Sequence, residues 1–115
     1  MQVQVNTDDH IQGGEALAQW VRDEASSRLS RFKESVTRLE VFLTDVDGAK
    51  SGVNDKRCRL EARVVGRQPV TVTAEADKMA AAFIAAVEKL ARAVEADLGR
   101  VKDRNGRDTI RAAQE

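Results

Sequence analysis

The sequence predicts an α+β fold: one domain in the order β-α-β-β-β-α, its four strands forming a mixed sheet with two helices packed on one face. Three observations lead there. Apolar residues alternate with polar ones in four short segments, they recur at three-to-four-residue spacing in two longer segments, and every such pattern leaves one face to bury against another element. At 115 residues the chain is long enough for one core and too short for two.

Val3 and Val5 alternate with Gln2, Gln4 and Asn6, which is the pattern of a half-buried first strand. Gly13-Gly14 breaks it. Leu17, Val21, Ala25, Leu29 and Phe32, with Trp20 beside them, then predict an amphipathic helix from about Gly14 to about Arg31. Leu39, Val41 and Leu43 alternate with Arg38, Glu40 and Thr44 in a second strand that ends in the turn signal Asp45-Val46-Asp47-Gly48. A polar loop follows to about Asp55. The third strand sets Cys58, Leu60, Ala62 and Val64 against Arg57, Arg59, Glu61 and Arg63, and after Gly66 and Pro69 the fourth turns Val70, Val72 and Ala74 inward. Strands two to four are expected to run antiparallel in succession.

Asp77 is a good N-cap, and from there Met79, Phe83, Ala86, Val87, Leu90, Val94 and Leu98 keep one face apolar in a segment rich in helix formers, to about Val101. Residues 102–115 hold Asn105-Gly106 and few large apolar groups, so the domain is expected to span 1–101 and a flexible tail 102–115. The sheet face away from the helices would carry Arg38, Arg57, Arg59, Arg63, Thr71, Thr73 and Glu75, a polar mixture open to water or to a partner.

Nineteen basic and nineteen acidic residues cancel, so any attraction to nucleic acid depends on how the charge is distributed. One Cys, one His and no Tyr are a thin inventory for hydrolytic or metal chemistry, and no catalytic residue, metal site or cofactor is predicted. No stretch approaches the roughly 18 apolar residues of a membrane span, and Met1 to Val5 lack the blocks of a signal peptide, so no membrane association and a cytoplasmic location are expected.

The distribution is not uniform. At about 100° per residue, Lys78, Lys89, Arg92 and Arg100 of the second helix fall within an arc of about 80°, with Glu88 and Glu95 to one side. Such a stripe suits an RNA backbone, although it is also what a solvated face looks like when lysine and arginine stems shield a core edge. Arg22, Arg28, Arg31 and Lys33 scatter around the first helix and mix with Asp23 and Glu24. From Arg100 to Arg111 the chain carries five cations and two carboxylates, a basic run that could order on RNA or simply aid solubility.

Other residues fit structural roles better than functional ones. Cys58 has inward parity, His10 follows Asp8-Asp9 in a loop without triad or metal partners, and Trp20 and Phe32 lie on the apolar face. Only Phe42 has the outward parity that base stacking requires. The Arg57, Arg59, Arg63 row is expected to pair with Glu40, Glu61 or Glu75, and Asp45, Asp47 and Asp55 are explained as turn residues before they are explained as a cation site.

Several strings, in order and at matching spacing over roughly Met1 to Lys102, resemble the hibernation-promoting factor and ribosome-associated inhibitor family, also called the sigma-54 modulation family. They are Glu15-Ala16-Leu17, Trp20-Val21 and Phe32 in the first helix, then Ala74-Glu75, Met79, Ala81-Ala82 and Lys89-Leu90-Ala91-Arg92 around the second. Ala80 and Ile84 depart from the family's usual Tyr and Asp, and Glu95-Ala96-Asp97-Leu98-Gly99-Arg100 replaces its Lys-rich helix end. The resemblance implies a non-enzymatic factor that binds the rRNA of the small ribosomal subunit in the mRNA/tRNA channel and silences translation under stress. The cations it would use are Lys78, Lys89, Arg92, Arg100, Lys102 and Arg104, with Arg22 and Arg28 from the first helix. The competing reading is a divergent protein-protein adaptor or homodimer that uses the open sheet face. A ribosome-dimerising activity, which longer members owe to a second domain, is not expected of so short a tail.

Overall fold

The computed structural model describes residues 1–8, 14–46 and 55–114, with side chains described as far as Gly99. Its elements are β1 (Gln2–Thr7), α1 (Gly14–Arg28), a 3₁₀ turn (Ser30–Phe32), β2 (Val36–Asp45), β3 (Lys56–Val64), β4 (Val70–Ala76) and α2 (Met79–Gln114). The strands form one sheet in the order β1-β2-β3-β4, with β1 parallel to β2 and the other two pairings antiparallel. A parallel pair needs a long crossover, and α1 supplies it. This is the α+β arrangement that the periodicities predict.

Parity explains the core. Leu39, Val41 and Leu43 of β2 meet Cys58, Leu60 and Ala62 of β3 in register, and all six are buried together with Val21, Ala25 and Leu29 of α1 and Phe83, Val87, Leu90 and Val94 of α2. Val36 is buried too, although it stands three positions before Leu39, an odd step that simple alternation forbids. A register shift between Val36 and Arg38 resolves this. Thr37 is the extra residue; its side chain stays outside and its Oγ1 donates to the Arg63 carbonyl at 3.4 Å.

Trp20 is half-buried, and its ring meets that of Phe83 edge-on at 5.5 Å, which ties α1 to α2. Cys58 lies wholly within the core, as its parity predicts, and burial pushes its thiol up to about 12.

Three boundaries differ from the sequence expectation. The regular part of α1 ends at Arg28, and the chain reaches Phe32 through the 3₁₀ turn, a common way to tighten a helix end. At the start of α2 the Ala82 amide donates to the Lys78 carbonyl, so Lys78, not Asp77, begins the hydrogen-bonded spiral. The helix then runs past Val101 to Gln114, through the segment expected to be a tail: no proline interrupts it, and Asn105-Gly106 costs only about 1.5 kcal/mol of helix propensity. Its 36 residues rise about 54 Å, while the ten residues of β2 extend about 33 Å, so α2 outruns the sheet. His10 and Asp47 lie outside the described residues.

Candidate nucleic-acid interface

The apolar stripe of α2 passes through Phe83, Val87, Leu90 and Val94, and the arc holding Lys78, Lys89 and Arg92 lies on the opposite, outer ridge. The Arg92 side chain is exposed and has no hydrogen-bond or ion-pair partner among the described residues. The same holds for the side chain of Lys78, which stands about 21 Å from Arg92 along the axis. Lys89 differs: its Nζ donates to the carbonyl of Thr73 on β4 at 2.9 Å. The side chains of Arg100, Lys102 and Arg104 lie outside the described residues, although the backbone of α2 carries all three.

The two α1 cations are occupied within their own helix. Arg22 pairs with Glu15 at 2.6 Å and with Gln19 at 3.1 Å, and Arg28 pairs with Glu24 at 3.0 Å, one turn apart. Exposed pairs of this kind exchange readily, so a phosphate could replace either carboxylate at little cost.

Four cations that the sequence reading did not bring together as a group stand at the end of the sheet where β2 begins and β3 finishes, the two joined there by the Val65 amide donating to the Ser35 carbonyl at 2.9 Å. The side chains of Lys33 and Arg63 are exposed and without a partner among the described residues. Arg31 lies over the Phe32 ring at 4.7 Å and within 3.6 Å of Glu95. Arg67 pairs with Asp97 through two hydrogen bonds, of 2.9 and 3.2 Å, which hold its guanidinium above the ordinary arginine value. The clue in the sequence was the turn: Gly66 and Pro69 between two alternating segments imply a connection that brings Arg67 to this end.

On the open sheet face Arg38, Arg57 and Arg59 are matched by carboxylates, whereas Arg63, expected to pair in the same way, is not. Arg57 lies opposite Glu75 in register and bonds it at 3.0 Å, the cross-strand pairing expected. Arg38 with Glu40, and Arg59 with Glu61, pair instead along their own strands, at 3.1 and 3.4 Å. Arg38 also bonds Gln4 of β1. Phe42 faces outward as its parity predicts, but the Arg59 guanidinium covers the ring at 4.5 Å. Around them Thr44, Arg57, Thr73 and Glu75 complete a shallow hollow of about 440 Å³.

The other end of the sheet is acidic. Asp45 and Asp55, both buried, share Lys56, each at 3.1 Å, and these bonds, that to Asp55 foremost, lift the lysine above its usual 10.5. Asp8 accepts from the Asp45 amide at 3.1 Å. The cation these carboxylates hold is thus one of the chain's own, and among the described residues no group of three or more His, Cys, Asp or Glu is placed to hold a metal ion. No helix is long and apolar enough to cross a membrane among the described residues. Zero net charge conceals a polar molecule, basic along one ridge and one end and acidic at the other.

Residues 3–102 match the family model described as sigma 54 modulation protein / S30EA ribosomal protein. Among solved structures, the chain is similar to the Thermus thermophilus Protein Y N-terminal domain (TM-score 0.60, 21% identity, 78% of this chain and 91% of that one). It is also similar to a ribosomal subunit interface protein from Coxiella burnetii (TM-score 0.58, 16% identity, 90% of this chain and 99% of that one). At such identities the two likenesses speak for the fold. No curated protein matches the sequence.

Proposed function

Because the chain belongs to the sigma 54 modulation protein / S30EA ribosomal protein family, whose members are ribosome-associated and not enzymes, we propose that it is a translation-silencing hibernation factor. It binds the rRNA of the small subunit in the channel used by mRNA and tRNA, and it acts by occupying that space. It needs no cofactor. Recognition is by backbone charge and RNA shape, since Phe42, the one aromatic on the open face, is covered by Arg59.

The observation that supports this reading best is the outer ridge of α2, where Lys78 and Arg92 stay exposed and unpaired in a protein whose other described cations are largely matched by carboxylates. Lys89 contributes beside them, with Arg100 on the same arc and Lys102 and Arg104 further along the helix in sequence. Arg22 and Arg28 take part by exchanging Glu15 and Glu24 for phosphate. Each neutralised phosphate releases counter-ions, so binding must weaken steeply with salt.

Co-sedimentation with purified small ribosomal subunits across a salt series tests this, with a Lys89→Glu, Arg92→Glu variant alongside. The wild type should pellet at low salt and the variant should not. If neither pellets, and the protein instead self-associates regardless of salt, the adaptor or homodimer reading through the open sheet face replaces it.

A further inference from the structure

Two carboxylates near the end of the core-facing part of α2 flank its apolar stripe. Taking Val94 as the reference direction, Glu95 points about 100° to one side and Asp97 about 60° to the other. Each meets an arginine from a different segment: Glu95 faces Arg31 of the 3₁₀ turn, and Asp97 faces Arg67 of the β3–β4 connection.

The second contact is built by its turn. The Arg67 amide donates to the Val64 carbonyl at 3.0 Å, and Gly66 at φ 70° supplies the left-handed residue such a turn needs in third position. Arg67 is thereby held with Nε–H donating to Asp97 Oδ2 at 3.2 Å and Nη2–H to Oδ1 at 2.9 Å. Asp97 is buried beneath while the Arg67 side chain remains one-third exposed. The far edge of the guanidinium carries no other bond among the described residues. It can still meet a phosphate, but with its charge already balanced.

We propose that Glu95 and Asp97 are internal counter-ions that compete with RNA phosphate for Arg31 and Arg67, and so set both the strength and the salt dependence of ribosome binding. This rests on the RNA-binding reading above. An arginine whose charge a buried carboxylate cancels displaces few condensed cations from a phosphate it approaches, so it contributes little to counter-ion release. Removing the carboxylate charge restores that contribution. Asp97 is the stronger competitor, with two bonds and a buried carboxylate; Glu95, at 3.6 Å and exposed, is the weaker.

The test is co-sedimentation with small ribosomal subunits between about 50 and 200 mM salt, comparing wild type, Asp97→Asn, Glu95→Gln and the double variant Arg67→Gln, Asp97→Asn. Asp97→Asn should bind more tightly at low salt, and its advantage should shrink roughly threefold across that range, as one added phosphate contact requires. Glu95→Gln should shift the same way by less, and it decides the matter if Asp97→Asn does not fold. The double variant should lose the gain. A folded Asp97→Asn with wild-type affinity and slope overturns the proposal and leaves the carboxylates as clamps on the fold. If no protein pellets at any salt, wild type included, the ribosome reading itself has failed and this proposal falls with it.

Discussion

The ammonium of Lys89 donates to the carbonyl oxygen of Thr73 at 2.9 Å, so a cation of the outer ridge of α2 is fastened to the edge strand β4. An unpaired carbonyl on a sheet edge is a template for another strand, and the lysine blunts it. Lys89 and Arg92 therefore do different work although they share a stripe. Arg92→Ala should weaken ribosome sedimentation more than Lys89→Ala does, while leaving stability within about 0.5 kcal/mol. Lys89→Ala should cost up to about 1 kcal/mol. Paired sedimentation and urea-unfolding curves check both, and equal losses of binding would show that the bond to Thr73 does not restrain Lys89.

Cys58 is sealed between β2, β4 and the helices, and burial pushes its thiol from 9.0 up to about 12. A thiolate is the reactive form, so native protein at pH 8 should resist a thiol reagent and react only on unfolding. The sign of the pH dependence follows. Above pH 9 the unfolded thiol loses its proton while the folded one keeps it, so stability is untouched below that pH and declines as pH rises toward 12. Cys58→Ala should flatten this part of the alkaline decline. Cys58→Ser should cost about 1–3 kcal/mol, because the core offers the hydroxyl no ready partner.

The fold was legible because its signal is local: Leu39, Val41 and Leu43 alternate, and Phe83, Val87, Leu90 and Val94 recur at helical spacing, whatever the rest of the chain does. The bulge at Thr37 was not, since an inserted residue becomes visible only when a partner strand sets the register. Sites were harder still. Sequence placed Lys89 on the outer ridge correctly, but its bond to Thr73 depends on how closely α2 lies against the edge of β4. Likewise Asp97 and Arg67 are thirty positions apart, and each looks like a solvated surface residue until the β3–β4 turn and α2 meet. Charge pairing across such distances is a property of packing, which no periodicity encodes.

Lys56 stands between Asp45 and Asp55, at 3.1 Å from each, and Asp45 Oδ1 is buried with no hydrogen-bond partner among the described residues. Removing the lysine would take from Asp45 and Asp55, both buried, the cation that they share. Lys56→Met should therefore lower Tm by several degrees, and a double change with Asp45→Asn should recover part of the loss. The pairing raises the Lys56 pKa above 10.5, so its stabilisation is complete below that pH and fades only as pH climbs through the folded value. Wild type and Lys56→Met should accordingly differ in Tm by a constant amount from pH 7 to about pH 10 and converge above it. A gap that closed between pH 7 and 9 would mean that another group carries the effect.

Among the described side chains, Leu98 is the last of α2 packed against the core, and the helix backbone continues sixteen positions further, to Gln114. If the folded domain ends near Val101, cutting the chain there should leave Tm within about 2 °C of wild type. The removed segment carries Lys102, Arg104, Arg107 and Arg111 against Asp103, Asp108 and Glu115, so the net charge lost is only one. If these cations meet phosphate individually, the truncated protein should show a salt slope lower by up to four contacts, far more than its net charge implies. If only the net charge matters, the slope should fall by about one contact. Those two slopes separate a segment that docks on RNA from one that merely adds to the field, and a large drop in Tm would instead assign residues 102–115 to the folded domain.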